Sequence, residues 1–144
     1  PYAMGWEQYY DDDLRVIYQC IQELDMAVSF HTQSEESIDR VLHEFPGITF
    51  IAAHPGEKDV FLRHLERMKR YPNYYLDLSG TGLFRYGMLA YGVKEVGSGR
   101  FLFGTDYPIC NPRMYVQAVL QEHLTREDCE AILAGNARRI LKLT

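Results

Sequence analysis

The chain has 144 residues, of which 47% are hydrophobic and 24% are charged, and its formal net charge is −5. This composition is typical of a globular chain, and the lack of a basic cluster argues against a nucleic-acid partner or an anionic membrane surface. No apolar run approaches the ~18 residues of a membrane span. The three cysteines form no CxxC pair, which favours a reducing cytoplasm over a disulfide framework. We therefore expect a small-molecule partner.

Short apolar runs alternate with segments of helical periodicity along the chain. The predicted strands are residues 27–30, 48–53, 74–78 and 100–105. The predicted helices are residues 14–24, 38–45 (after a capping box at 32–35), 61–71, 83–96, 112–123, 125–134 and 136–143. The helix over residues 83–96 contains Gly87 and Gly92, each of which costs about 1 kcal/mol in a helix interior.

The strands are nearly unbroken apolar runs, which is typical of a parallel sheet with both faces covered. His31, His54, Asp77 and Asp106 mark the strand ends, at intervals of 23, 23 and 29 residues. Each interval holds one strand and one helix, and this alternation predicts an α/β fold.

Polar residues at the carboxyl ends of parallel strands face the catalytic side of such folds. Here these residues are His31, His54, Ser79 and Asp106. Two imidazoles and a carboxylate at one rim are a ligand set for Zn²⁺ or a similar divalent ion, which can activate a water at neutral pH.

Each of these residues alone has an ordinary structural explanation. A histidine after a strand is commonly hydrogen-bonded or solvated, and Asp106 before Tyr-Pro suits a turn. Their joint placement at three of four strand ends favours a functional site. The other histidines, His43, His64 and His123, fall within or at the end of helices, and each is interpreted as a hydrogen-bonded or solvated side chain without a role in the site.

Five segments together resemble strands 5 to 8 and the closing helix of the amidohydrolase-related metal-dependent hydrolases. That family includes enzymes similar to aminocarboxymuconate-semialdehyde decarboxylase. The segments are residues 30–32, 50–56, 73–80, 100–108 and 135–141. The resemblance implies that residues 1–144 are one partial domain, the C-terminal half of a (βα)8 TIM barrel.

The resemblance also implies roles for individual residues. His31 would be the strand-5 metal ligand, and Asp106 would contact the metal and act as general base. His54 would be catalytic, with a metal contact possible. The implied ion is Zn²⁺ first, with Mn²⁺ or Fe²⁺ as alternatives. Three further residues could line the substrate pocket, although hydroxyls that cap loops explain them as well: Ser79, Thr105 and Tyr107.

Other parts of the family pattern are absent from this sequence. No His-x-His pair precedes His31, the first lysine is Lys58, and residues 1–13 resemble the loop after strand 4. A complete barrel takes ~250 residues. We therefore expect a longer polypeptide, a homo-oligomer or another partner chain, and an isolated 144-residue chain without activity.

Four functions remain open at this point. The first is metal-dependent hydrolysis of a C–N or C–O bond in a small molecule. The second is non-oxidative decarboxylation at the same site. The third is a TatD-like nuclease, which the acidic balance disfavours. The fourth is a non-catalytic half-barrel that serves as an interaction module.

Overall fold

The computed structural model describes residues 12–31, 35–83 and 85–143. The predicted capping box at residues 32–35 and the loop resemblance of residues 1–13 fall largely outside this part of the chain. None of the helices in these ranges is both long and apolar enough to cross a membrane. All three cysteines are described, and each is a free thiol.

Helices and strands alternate through the described residues, as the sequence predicts. The strands are β1 (Ala27–His31), β2 (Thr49–Ala53), β3 (Tyr74–Asp77) and β4 (Phe101–Leu102). The α-helices are α1 (Asp12–Glu23), α2 (Glu35–Glu44), α3 (Lys58–Arg70), α4 (Met88–Val96), α5 (Pro112–Leu120), α6 (Arg126–Glu130) and α7 (Asn136–Ile140).

The four strands form one parallel sheet in the order β1-β2-β3-β4. The register aligns Phe30, Ala52, Leu76 and Phe101 in one row across the sheet. All four are buried. Because side chains alternate along a strand, the neighbouring row that contains His31 and its partner in β2 belongs to the opposite face.

The hydrophobic core lies between the sheet and the covering helices. Phe30, Leu76 and Phe101 belong to the same buried cluster as side chains from helices α2 to α4. Deeply buried members of that cluster on these three helices include Ile38, Leu42, Phe61, Leu65 and Leu89. Burial of each such side chain contributes about 1.5–3 kcal/mol. The helices thereby fix the sheet, whose carboxyl end carries the candidate site.

The segment predicted as a helix over residues 83–96 becomes helical only from Met88. Gly87 precedes α4 with a φ of +85°, a left-handed conformation that glycine adopts without steric cost. Gly92 lies inside α4, where an added Cβ would be 2.7 Å from the Phe61 ring and 2.9 Å from the Phe101 ring. One glycine therefore starts the helix, and the other lets it pack closely on the core.

The strand predicted over residues 100–105 is shorter in the structure. The Phe103 amide leaves the sheet ladder and donates instead to the Ile132 carbonyl at 3.0 Å. The last predicted helices form one continuous helical run, in which the π-helical turn Ala131–Gly135 joins α6 to α7. The predicted capping box of Thr125 and Asp128 at its start is confirmed.

Two asparagine amides fix the sheet at the amino ends of its strands. Asn73 Nδ2 donates to the Ile48 carbonyl at 3.1 Å. Asn136 Nδ2 donates to the carbonyls of Ser98 and Phe101, both at 2.8 Å. Asn136 is buried. Each amide thereby donates to backbone carbonyls at or near the start of a strand.

Candidate active site

The carboxyl ends of the strands bring the predicted site residues to one edge of the sheet. His31 is the last residue of β1, and His54 directly follows β2. The register pairs His31 with Ala53, so the two histidines lie on adjacent strands. Ser79 comes shortly after β3, and Asp106 comes shortly after β4.

The two histidine side chains meet through their Nε2 atoms. His31 Nε2 and His54 Nε2 are 3.1 Å apart, and the ring planes are inclined by 54°. His31 is exposed, whereas His54 is half-buried. Two nitrogens bound at about 2.0–2.1 Å to one tetrahedral ion would be about 3.3 Å apart. The chemistry and spacing of this donor pair therefore fit a divalent ion.

The loop after β3 holds His54 from the other side of its ring. His54 Nδ1 lies 3.1 Å from the Ser79 carbonyl oxygen and 3.0 Å from Ser79 Oγ. His54 itself has a φ of +73°, which is uncommon for a residue with a side chain. Gly80 passes so close that an added Cβ would be 2.4 Å from His54 Nδ1. The ring is thus clamped, with its Nε2 directed to His31.

Asp77 is a site residue that the sequence reasoning missed. Its Oδ1 accepts from the Ser79 amide at 2.8 Å and from Ser79 Oγ at 2.5 Å. The His54 amide lies 3.5 Å from the same oxygen. Asp77 is the only carboxylate in β1 to β4, and this oddity in an apolar strand is the signal that could have identified it.

Asp106 is placed near this edge but does not complete a three-ligand cluster. Within the described ranges, no group of three or more His, Cys, Asp or Glu side chains is arranged to hold a metal ion. Asp106 is exposed, its φ is +60°, and its carbonyl accepts from the Ile109 amide at 2.9 Å. This tight turn fixes the backbone of Asp106, while the role of Asp106 as metal ligand and general base stays a prediction.

Tyr115 on α5 links the segment after β4 to the loop that clamps His54. Its hydroxyl donates to the Gly80 carbonyl and lies 3.4 Å from Cys110 Sγ. Burial raises the pKa of Tyr115, and the neighbouring Cys110 and Asp106 act in the same direction. The hydroxyl therefore stays protonated and remains a donor to the loop.

The other predicted pocket residues and two of the other histidines are half-buried or exposed. Thr105 is half-buried and Tyr107 is exposed on either side of Asp106, and their pocket-lining role stays a prediction. His43 and His123 are exposed.

His64 is fully enclosed in the core, where its Nδ1 lies 2.7 Å from the Tyr74 hydroxyl and its ring stacks on the Tyr74 ring. The structural interpretation of His64 therefore agrees with its position.

Comparisons with known proteins identify the fold and the family. A sequence model of the amidohydrolase family matches residues 3–143, nearly the whole chain. No curated protein matches the chain significantly. The four parallel strands and their helices are half of a TIM barrel, as predicted. The chain belongs to the amidohydrolase family.

Several solved structures are similar to this chain. An uncharacterised TIM-barrel protein from Bordetella bronchiseptica is 28% identical, with a TM-score of 0.79 over 94% of this chain and 52% of that one. A 2,6-dihydroxybenzoate decarboxylase from Rhizobium is 22% identical, with a TM-score of 0.72 over 94% of this chain and 57% of that one.

A third similar structure is a dihydroxybenzoic acid decarboxylase from a Polaromonas species, with bound manganese and the inhibitor 2-nitroresorcinol. It is 18% identical, with a TM-score of 0.71 over 94% of this chain and 55% of that one. The chain thus spans little more than half the length of these structures.

Proposed function

We propose that this chain carries half of the active site of a metal-dependent hydrolase, which cleaves a C–N or C–O bond of a small molecule. The observation that supports the proposal is the approach of His31 Nε2 to His54 Nε2, 3.1 Å apart at the carboxyl ends of adjacent strands. Ligand-type nitrogens at this edge of a TIM barrel are typical of catalytic sites.

Each residue has a distinct task in the proposed reaction. His31 would hold the ion, His54 would hold it or orient the substrate, and Asp106 would take a proton from the attacking water. When bound, the divalent ion supplies Lewis acidity. Zn²⁺ is the first candidate, and Mn²⁺ and Fe²⁺ suit the same donors. The exposed Asp106 carboxylate is accessible to solvent water, as a proton acceptor must be.

Substitution of the proposed ligand and base tests this function in the complete protein. Asp106→Asn is expected to lower kcat of metal-dependent turnover by about 10²–10⁴-fold, because an amide cannot accept the proton. His31→Ala is expected to remove bound metal as measured by elemental analysis. His43→Ala, at an exposed helical histidine, is the matched control and should retain both properties.

Unchanged circular dichroism spectra will show that the variants are folded. Retention of full turnover by folded Asp106→Asn and of stoichiometric metal by folded His31→Ala would contradict the proposal. That result would mean that the metal and the proton acceptor of the complete protein lie outside these residues. Absence of bound metal and of turnover in the unsubstituted complete protein would instead favour a non-catalytic half-barrel.

Decarboxylation of an unsaturated or aromatic acid is the second candidate function. It is favoured by the likeness to two decarboxylases of dihydroxylated benzoates, one of them with bound manganese. The two reactions differ in their products. Release of CO₂ from a panel of hydroxylated aromatic acids, without amide or ester hydrolysis, would select decarboxylation.

We propose that another half of the barrel completes this partial domain. That half comes either from the same polypeptide or from a second chain, and we place the protein in the cytoplasm. Within the described residues, β1 pairs only with β2 and β4 pairs only with β3, so each outer strand has an open edge. Large apolar side chains are also exposed on and after α1, namely Val16, Ile17, Leu24 and Met26. Such edges and patches favour association.

The 144 residues produced alone are therefore expected to self-associate. Multi-angle light scattering should detect dimers or larger species, because a second copy can cover the open edges and the apolar face of α1. Val16→Lys should reduce the association by placing a charge on that face. A monodisperse, cooperatively melting monomer of the unmodified chain would contradict this expectation.

A further inference from the structure

We propose that Asp77 and Ser79 are positioning residues that fix the tautomer of His54. In this arrangement His54 carries its proton on Nδ1, and the lone pair on Nε2 faces His31. The role of this tautomer at the metal rests on the proposed function, whereas the tautomer itself can be measured without it.

The Ser79 carbonyl oxygen lies 3.1 Å from His54 Nδ1. A carbonyl oxygen can only accept a hydrogen bond, so the contact is favourable only when Nδ1 carries the proton. A neutral imidazole with a proton on Nδ1 has its lone pair on Nε2. The backbone after β3 therefore favours one tautomer.

The Ser79 hydroxyl lies 3.0 Å from the same nitrogen, and a hydroxyl can either donate or accept a hydrogen bond. The contact with Asp77 determines whether the Ser79 hydroxyl donates to His54 or accepts from it. Its Oδ1 lies 2.5 Å from Ser79 Oγ, and an ionised carboxylate can only accept. The hydroxyl proton therefore points to Asp77, and Oγ presents a lone pair to His54 Nδ1. Both groups of Ser79 then act as acceptors.

Gly104 borders the hydrogen bonds between Asp77, Ser79 and His54. An added Cβ at Gly104 would lie 3.1 Å from Ser79 Cβ and 3.3 Å from Asp77 Cγ. The absence of a side chain at Gly104 leaves room for the pair. Ser79 is also buried, which limits exchange of its hydrogen bonds with water.

The tautomer of His54 determines how its Nε2 can interact with His31. With its lone pair on Nε2, His54 can accept a hydrogen bond from His31 Nε2, 3.1 Å away, or share a divalent ion with it. The opposite tautomer would carry its proton on His54 Nε2, and this nitrogen could then not bind a cation. Support of a ligand histidine by an outer carboxylate is a general means of fixing its ring and tautomer.

The test is a long-range ¹H–¹⁵N spectrum of the histidine rings in the complete, metal-free protein. The spectrum is recorded without substrate at about pH 8.5, two units above the ordinary pKa of imidazole. His54→Gln assigns the His54 signals by their loss. The expected wild-type pattern has Nδ1 at the shift of a protonated ring nitrogen and Nε2 at that of an unprotonated one.

Three variants separate the contributions of the two residues. Asp77→Ala releases the Ser79 hydroxyl to donate to Nδ1, so a population with the proton on Nε2 should appear. Ser79→Ala keeps the carbonyl and should keep the wild-type tautomer. Asp77→Ala combined with Ser79→Ala removes the competing hydroxyl donor and should restore the wild-type tautomer of His54.

The conservative Asp77→Asn variant retains an acceptor oxygen and should stay closer to the wild type than Asp77→Ala. A proton on Nε2 in the wild-type protein would overturn the inference, and so would an Asp77→Ala spectrum identical to it. Since no turnover is measured, loss of the proposed enzymatic function would leave this result intact. If Asp77→Ala does not fold, Asp77→Asn and the wild-type spectrum still test the inference, because a proton on Nε2 in either would overturn it.

Discussion

Gly80→Ala is expected to displace the His54 ring and to abolish most of the proposed enzymatic activity of the complete protein. An added Cβ would be 2.4 Å from His54 Nδ1, so the ring or the loop must move. Gly80 also has a φ of +61°, where alanine costs about 1–2 kcal/mol. A displacement of about 1 Å at a catalytic group can lower turnover about 10²-fold, and we expect that loss in kcat.

Gly87→Ala is the matched control for this prediction. Gly87 has a φ of +85°, but nothing lies within 4 Å of the Cβ that alanine would add. This variant should therefore show a similar loss of thermal stability with unchanged kcat. Equal losses of kcat in the two variants would mean that backbone strain, and not contact with His54, determines the effect.

His64 is expected to make the protein acid-sensitive. Burial lowers the pKa of His64 to about 3, and the charges of Arg67 and Arg63 act in the same direction. In the unfolded chain its pKa is about 6.5, so below that pH the unfolded state binds a proton that the folded state does not. The free energy of unfolding should thus fall by about 1.4 kcal/mol per pH unit between pH 6.5 and about pH 3.

His64→Gln removes this titration and keeps a polar group near the Tyr74 hydroxyl. Urea unfolding at pH 7 and pH 4.5 should show that the variant loses about 2.7 kcal/mol less than the wild type over this interval. His43→Gln, at an exposed histidine, should lose as much as the wild type. An equal acid dependence in His64→Gln and wild type would disprove the assignment to His64.

Much of this fold is predictable from sequence because its strands are short, apolar and separated by helices of regular period. β1, β2 and β3 occur within about one residue of the predicted ranges. The short β4 was not predictable, because Phe103 pairs with Ile132, a partner distant in sequence. The role of Gly92 likewise depends on two core rings that no local pattern reveals.

The candidate site was predictable only in part for a related reason. Strand ends identify His31 and His54, since parallel strands bring their carboxyl ends together. The support of His54 by Ser79 and Asp77 depends on the course of one loop, which a single sequence does not specify. The predicted Asp106 role requires side-chain placement beyond strand order, and therefore remains to be tested by substitution.

The two asparagine amides at the amino ends of the strands have a consequence for how this protein can diversify. Asn73 and Asn136 hold the backbone at the end of the sheet opposite to His31 and His54. The hydrogen bonds that hold the sheet are thus separate from those that hold His54 in the candidate site. In the proposed enzyme, new side chains in the exposed segment around Tyr107 can change substrate preference, while the loop that holds His54 and the anchors of the scaffold stay as they are.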